Sequence, residues 1–327
     1  MRARAHSSSR CPARSRRGSS SRAPPRSRRG GRRASRRAAE SRGPARPLDL
    51  PGLALGGAGL LGIVYGLVRG QALGWGSTTI VGSLVVGLLL VGAFVAWELR
   101  AEHPMLPMRF FGSRAFSATN AVGLSMYFGI FGSIFLLSQF FQFVQHYTPL
   151  QAGLRVLPWT IMPMFVAPVA GILSDRIGSR PLMVTGLALQ SAAMLWIGQV
   201  SSVTVPYGQL VPAFVMAGTG MALVFAPAAN AVLAAVRPSE VGQASGATNA
   251  IRELGGVLGV AVLAAVFAGS GSYASPAAYN AGVIPAIRVG AVVLAVGALA
   301  ALLVPGRRAE VGAAAAPAAS ESLAQAA

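Results

Sequence analysis

Apolar runs of membrane length recur along this chain from Pro51 onward, and they constrain its fold more than any other feature. Each run is near the ~20 residues that a helix needs to cross a ~30 Å hydrocarbon core. Lipid offers no water to backbone N–H and C=O groups, so each run is predicted to be a helix. The runs cover approximately residues 51–68, 79–97, 116–139, 152–173, 181–200, 208–229, 246–268 and 285–305. The predicted fold class is therefore an all-α integral membrane protein with about eight transmembrane helices.

The composition supports a membrane protein and argues against a nucleic-acid-binding one. Of 327 residues, 53% are hydrophobic and only 11% are charged, which is too apolar for one or two water-soluble domains. The net charge of +19 suggests nucleic acid at first, but 16 of the 28 basic residues fall within the first 46 positions. No aromatic or folded reading module accompanies that charge. We therefore expect the lipid bilayer as a partner and do not expect nucleic acid.

Both ends of the chain lack an apolar period. Residues 1–46 consist almost entirely of Arg, Ser, Ala, Pro and Gly, and they are predicted to be disordered, as is the tail at 307–327. The restricted alphabet of residues 1–46 resembles GC-rich sequence read in a wrong frame, or an upstream start joined to a truncated gene. The alternative interpretation is a genuine basic tail that binds anionic lipid.

The arginines between the apolar runs predict the orientation of the chain in the membrane. Connections on one side carry Arg100, Arg109, Arg114, Arg176, Arg180, Arg237, Arg307 and Arg308. Connections on the other side carry only Arg69, while Arg155 and Arg288 are expected about one turn inside their helices. Short basic loops are retained in the cytoplasm. The chain is therefore predicted to be a multi-pass protein of the cell membrane with both termini cytoplasmic.

A charged segment with the spacing G-x-L-x-D-R-x-G-x-R lies between the fourth and fifth runs, at residues 171–180. Gly171 and Gly178 are expected to permit close backbone approach or a positive φ. Arg176 and Arg180 are expected to anchor at the headgroup boundary, and Asp175 can stabilise the N-terminus of a neighbouring helix. A merely basic cytoplasmic turn is the alternative interpretation.

This pattern resembles the signature loop between the second and third helices of a six-helix bundle in the major facilitator superfamily. More narrowly, residues 48–308 resemble the fourteen-helix drug:proton antiporters. The segments that carry this resemblance are residues 48–52, 65–67, 74–76, 98–111, 147–158 and 241–256.

The resemblance implies an organisation and an activity. Residues 47–114 would form two linker transmembrane helices, and residues 115–306 would form the C-terminal six-helix bundle. The first six helices of the family would precede Leu48, so the chain is expected to be a truncated form without the N-terminal bundle. The implied function is proton-coupled efflux of small lipophilic or drug-like molecules. The alternatives are a nonfunctional or structural membrane fragment, and a half-transporter that needs a separately encoded N-terminal half.

Several polar, aromatic and methionine side chains lie on the helices that resemble cavity-lining ones. Thioethers adapt to varied lipophilic compounds, and aromatic rings attract cations. The candidate lining residues are Asn120, Met126, Tyr127, Gln139, Gln142, Trp159, Met162, Met216, Met221, Asn249 and Arg252. Packing inside the bundle is the alternative for each, and only some are expected to face a cavity. For Arg252, a role in the cavity and cytoplasmic anchoring both remain open.

Glycines and prolines in the runs predict how the helices pack. The Gly255-Gly256-x-x-Gly259 and Gly218-x-Gly220 patterns are predicted to allow close helix approach, since no hydrophobic drive acts between helices in lipid. Kinks are predicted at prolines inside two of the runs. These prolines are Pro158, Pro163, Pro168, Pro212 and Pro227.

The remaining residue types exclude several chemistries. The carboxylates are predicted to lie at or beyond the ends of spans, except Glu253, which is predicted about two turns inside its helix. No carboxylate is predicted at the midplane, so a proton carrier is expected in the missing half. The single Cys11 excludes a disulfide framework or a multi-thiolate metal site. The three histidines are isolated and no phosphate-binding G-x-x-x-x-G-K-[ST] is present. We therefore expect no enzyme activity, no cofactor and no metal.

Overall fold

The computed structural model of the protein describes residues 49–101, 104–237 and 240–306. The arginine-rich segment at 1–46 and the tail at 307–327 lie outside the described residues, so the expectations about them stay predictions.

Eight long α-helices make up the described part of the chain, and each is long and apolar enough to cross a membrane. Their bounds are α1 Leu50–Leu73, α2 Thr78–Glu98, α3 Arg114–Gln139, α4 Pro149–Ile177, α5 Ser179–Val200, α6 Tyr207–Ala234, α7 Val241–Ser270 and α8 Pro276–Ala301. A short 3-10 helix, Met108–Gly112, precedes α3, and a π-helical turn, Phe140–Val144, follows it. The predicted all-α membrane class is confirmed.

The predicted start of the last helix was wrong by nine residues. Helix α8 begins at Pro276, whereas its predicted start was near Pro285, which lies inside the helix. The Ser275 hydroxyl accepts a hydrogen bond from the Ala278 N–H at 3.1 Å, and a proline at the first helical position lacks only an N–H that has no partner in the helix. The Ser-Pro pair is therefore the true start signal.

Helix α7 also begins earlier than predicted, at Val241 instead of residue 246. Its first turns pack through Ala244 and Ala247 into an apolar cluster that includes Phe110 and Phe116. This tertiary burial stabilises a stretch whose local sequence, rich in glycine and polar residues, gives little helical signal.

The six helices α3 to α8 pack around one main apolar core, beside the smaller cluster at the start of α7. Helix α3 packs mainly on α7 and α8, α5 packs on α6 and α8, and α4 packs on α6. Helices α1 and α2 form a separate antiparallel pair, and α1 leans on α7. Most of their large apolar side chains are exposed, as lipid-facing side chains would be.

Three connections lie at the same end of the bundle: α2–α3, α4–α5 and α6–α7. We call it the arginine-rich end, because it carries Arg109, Arg176, Arg180 and Arg237. Arg109 forms an ion pair with Glu240, and the Gln243 side chain donates a hydrogen bond to the Pro104 carbonyl at 3.3 Å. These contacts fasten the α2–α3 connection to the start of α7.

Glycine allows backbones to touch where α3 meets α7. A Cβ atom added at Gly259 would lie 2.2 Å from the carbonyl oxygen of Phe128, and one added at Gly255 would lie 2.4 Å from that of Leu124. Helices α4 and α6 meet in the same way, since a Cβ at Gly218 would lie 2.3 Å from a backbone oxygen. The predicted close helix approach is confirmed.

Helices α4 and α6 continue across their internal prolines. Each proline leaves the carbonyl one turn earlier without its helical donor. The kinks expected at these positions stay a prediction.

Substitution of Gly259 by alanine tests whether backbone contact holds α3 to α7. The methyl group would collide with the Phe128 carbonyl, which cannot rotate away, so we expect the free energy of unfolding to fall by about 1–3 kcal/mol. The measurement is the midpoint of thermal unfolding of the purified protein in detergent micelles.

Gly246→Ala is the matched control on the same helix, because a Cβ there meets no heavy atom within 4 Å. It should leave the midpoint unchanged or raise it slightly, since alanine has the higher helix propensity. Equal effects of the two substitutions would contradict the role assigned to the α3–α7 contact.

Candidate functional site

The segment 171–180 forms a junction of two helices joined by one residue. Helix α4 ends at Ile177 and α5 begins at Ser179, so Gly178 is the entire connection. Gly178 has φ +89° and ψ 164°, a conformation that is essentially restricted to glycine. The predicted positive φ is confirmed at this position.

The same expectation was wrong for Gly171. This residue lies inside α4 with ordinary helical backbone, and a Cβ added to it would be 4.0 Å from the nearest side chain, that of Ala226. Neither a positive φ nor close backbone approach is needed there, because only the helix junction seven residues later requires a special conformation.

The charged side chains of the segment point outward from the bundle. Asp175, Arg176 and Arg180 are exposed, and none forms an ion pair within the described residues. The hydroxyls of Ser174 and Ser179 are buried and lie 3.2 Å apart, so they close the inner side of the junction. The charges are thus free to meet another surface.

Arg252 lies deep inside the bundle, where a charge is costly. It is eleven residues after Val241, the first residue of α7, which is about 17 Å of helix. Its side chain passes 3.5 Å from the position of a Cβ on Gly123, nine residues into α3, and approaches Phe225, nine residues before the end of α6. These neighbours place it about 14–17 Å from the arginine-rich end, near half of a ~30 Å hydrocarbon core.

This depth corrects two expectations. Arg252 is too far from the helix start for cytoplasmic anchoring. Glu253 was expected about two turns from the start of its helix, with no carboxylate at the midplane, but it is the thirteenth of thirty residues in α7 and so lies near the middle of the helix. Both errors have one cause, which is that the first turns of α7 are stabilised by burial and so lengthen the helix.

Two aromatic rings hold the Arg252 guanidinium at this depth. Its central carbon lies 5.9 Å from the ring centroid of Tyr127 and 5.7 Å from that of Phe225. Tyr127 also stacks on Phe131 with a centroid separation of 5.7 Å. Cation–π attraction to the two rings offsets part of the cost of placing the guanidinium charge in apolar surroundings. We call Tyr127, Phe225 and Arg252 the arginine–aromatic group.

The structure brings two sequence-predicted candidates, Tyr127 and Arg252, into this group and adds Phe225. No sequence signal identified Phe225, because it lies in an apolar run whose inward face depends on how α6 is rotated against α7. The half-buried Met221 lies one turn away on the same helix.

Arg252 also borders a depression between α6 and α7, together with the predicted candidate Asn249. The α7 wall is polar and the α6 wall is apolar. The lining residues are Ser245, Thr248, Asn249 and Arg252 on α7, and Ala229, Val232 and Leu233 on α6. Thr248 is 6% exposed, and neither its hydroxyl nor the Arg252 Nε has a hydrogen-bond partner within the described residues. Two residues that line the depression therefore carry buried polar groups whose hydrogen bonds are unmade.

Three candidates pack inside the bundle instead of facing that depression. Asn120, Met126 and Trp159 are each at most 3% exposed. The Asn120 side chain donates to the Phe116 carbonyl at 2.9 Å. Met162 and Met216 are half-buried and line neither the depression nor the arginine–aromatic group.

Gln139 and Gln142 lie at the end opposite to the arginine-rich end, where α3 passes into the π-helical turn. Gln139 accepts a hydrogen bond from the Tyr273 hydroxyl, and Gln142 donates to the Ser138 carbonyl at 3.1 Å. Partial burial raises the pKa of Tyr273 above its ordinary value, so this hydroxyl stays protonated and can donate. These two candidates are distant from Arg252.

The described residues contain no group of three or more His, Cys, Asp or Glu side chains placed to hold a metal ion. The side chains around Arg252 offer positive charge, hydrogen-bond donors and aromatic surface for recognition.

Comparison with known proteins places this chain among membrane transporters. Residues 50–260 match the family model described as Major Facilitator Superfamily. The puromycin resistance protein pur8 of Streptomyces alboniger is 32% identical over 70% of this chain and 46% of its own length. The tetracenomycin C resistance and export protein of Streptomyces glaucescens is 30% identical over 71% of this chain and 43% of its own.

A third relative, the multidrug resistance protein Stp of Mycobacterium tuberculosis, is 31% identical over 68% of this chain and 41% of its own length. The chain thus spans less than half the length of the curated relatives it matches.

Alanine substitution of the two motif glycines should affect the stability of the protein differently. Gly178→Ala forces a side chain into a backbone region that is essentially glycine-only, at an expected cost of about 1–3 kcal/mol in unfolding free energy. Gly171→Ala adds a methyl group to open helical surface and should be neutral or slightly stabilising. Thermal unfolding in detergent micelles compares the two, and equal stability would show that the junction does not depend on Gly178.

Asp175→Asn tests whether this carboxylate has a partner within the chain. Asp175 is exposed and unpaired among the described residues, so the substitution should barely alter membrane insertion or the unfolding midpoint. Membrane-fraction yield and thermal unfolding are the measurements. A large loss of folded protein would show that Asp175 contacts another part of residues 48–308.

Proposed function

Because the chain belongs to the major facilitator superfamily, we propose that it is part of a transporter that moves small lipophilic or drug-like molecules out of the cell. The names of three relatives contain the words resistance or export, which supports movement of molecules out of the cell. The chain is a multi-pass membrane protein, and the proposed activity is transport, not catalysis.

The observation that carries the proposal is the depth of the arginine–aromatic group. Polar and charged side chains inside a membrane are costly, and they usually mark a substrate or ion pathway. Transporters built from repeated bundles bind substrate near the bilayer midplane, between the repeats. The group lies at that depth on α3, α6 and α7, and Asn249 beside it is exposed where a second bundle could cover it.

We propose that transport requires such a second bundle. Alternating access moves one bundle against the other around a shared site, whereas α3 to α8 supply one bundle. The second could belong to a longer polypeptide or to a separately encoded half. A fragment without transport activity is the alternative, and the experiment below separates the two.

We also propose that transport is coupled to protons and that Glu253 is the carboxylate to test first. The other carboxylates in the described parts of the chain lie at or near helix ends: Asp49, Glu98, Asp175 and Glu240. Glu253 is exposed near the middle of α7.

In the proposed orientation the arginine-rich end faces the cytoplasm. The basic connections are concentrated there, and positively charged loops are retained on that side during insertion. Both termini would then be cytoplasmic.

Transport can be tested in a bacterial host that lacks its own multidrug pumps. The chain is expressed alone, and then together with the first six helices of its puromycin-resistance relative as a separate polypeptide. Cellular accumulation is measured for a cationic, a neutral and an acidic fluorescent compound of similar lipophilicity. We expect the pair to lower accumulation of at least one compound, and Glu253→Gln in the pair to remove the part that depends on the proton gradient.

Each half expressed alone and the surface variant Gly246→Ala in the pair are the controls. Lower accumulation with the chain alone would show that no second bundle is needed. Unchanged accumulation of all three compounds, with both halves found folded in the membrane, would contradict transport.

A further inference from the structure

We propose that the depression between α6 and α7 binds the acid group of a lipophilic acid, with Arg252 and Thr248 as the donors. That the bound acid is a transported compound rests on the proposed transport function. The site is defined by its lining residues: Ala229, Val232, Leu233, Ser245, Thr248, Asn249 and Arg252.

The first argument is the sign of the charge. Arg252 is the only ionisable side chain in the lining, and it forms no ion pair within the described residues. The adjacent Glu253 points elsewhere, because neighbouring residues on a helix are separated by about 100°. A guanidinium at this depth disfavours a cation beside it and gains most from an anion, since the surroundings screen charge weakly.

The second argument is the presence of unmade hydrogen bonds. Thr248 and Arg252 both line the depression, and the Thr248 hydroxyl and the Arg252 Nε are buried without a hydrogen-bond partner among the described residues. A guanidinium is a donor only, and a hydroxyl can donate to a carboxylate. One carboxylate accepting from both would satisfy groups that otherwise carry a desolvation cost.

The third argument is that the depression has one polar wall and one apolar wall. The α6 side consists of Ala229, Val232 and Leu233, which can bury hydrocarbon but offer no polar side chain. A molecule with an acid group at one end and an apolar body fits both walls. A small inorganic anion would leave the apolar wall unused.

The rings of the arginine–aromatic group keep the guanidinium away from the headgroups. Arginines near helix ends usually extend toward the interface, but Tyr127 and Phe225 hold this one about 14–17 Å inside the bundle. This position argues against a lipid phosphate as the natural ligand.

Binding of radiolabelled dodecanoate and of its methyl ester to the purified chain tests the proposal by scintillation proximity. Neutral dodecyl maltoside micelles are used, and subtraction of the signal from protein-free micelles removes the contribution of ligand dissolved in the micelle. We expect dodecanoate to bind the wild type roughly tenfold or more tightly than Arg252→Gln, as loss of a charged hydrogen bond implies, and the ester to show no such difference.

Two further variants make the result interpretable. Thr248→Val should weaken dodecanoate binding less, by roughly threefold, because it removes a neutral donor of similar size. Arg288→Gln removes an exposed arginine on α8, outside the depression, and should leave binding unchanged. Size-exclusion profiles establish that each variant is folded, and Thr248→Val is the test that remains if Arg252→Gln does not fold.

Two competitors decide the source of the acid group. A short-chain phosphatidylglycerol and a synthetic single-span helix with one central Asp should both fail to displace dodecanoate. Displacement by the lipid would assign the site to a headgroup, and displacement by the Asp helix but not its Asn counterpart would assign it to a partner helix. Either result would overturn the proposal, as would equal binding of acid and ester.

The assay measures binding and therefore fails or succeeds independently of transport. If a pair of halves exports a compound but binds dodecanoate and its methyl ester equally well, the proposed acid site is rejected and the proposed transport function stands. Acid binding that depends on Arg252 in a pair that exports nothing would keep the site and reject transport.

Discussion

Helices in a lipid bilayer gain nothing by hiding apolar side chains from one another, because the lipid tails are equally apolar. The attraction that remains between the helices comes from close packing, and this bundle achieves close packing by bringing backbones together at glycine. The carbonyl oxygens of Leu124 and Phe128 lie where side chains at Gly255 and Gly259 would otherwise be. The position of α7 against α3 depends on these contacts, and so does everything that α7 carries.

The most consequential residue that α7 carries is Arg252. Because α7 meets α3 so closely, this side chain passes Gly123 and reaches the rings of Tyr127 and Phe225. Rotation of α7 by the angle of one residue, about 100°, would turn Arg252 toward lipid, where an unpaired charge is costly. The close glycine contact and the half-buried charge near the middle of α7 are therefore two parts of one arrangement.

Much of the fold follows from local sequence, and much of the site does not. The number of helices in the described residues and the special backbone of Gly178 are predictable, because apolar length and glycine placement are local properties. The start of α7 is not, because Phe110 and Phe116, more than a hundred residues earlier, stabilise its first turns. The depth of Arg252 and its contact with Phe225 depend on that tertiary packing and on helix rotation, for which a single sequence has no signal.

The single-residue junction at Gly178 has a mechanical consequence. Ile177 and Ser179 are two peptide units apart, so the ends of α4 and α5 can never separate by more than about 7 Å. Little contact exists between the two helices beyond this point, since α4 packs mainly on α6 and α5 on α6 and α8. Gly178 is therefore a hinge that joins α4 and α5 at one end only. Any displacement of α4 relative to α5 is a rotation about a fixed pivot at the arginine-rich end, and it grows with distance toward the opposite end.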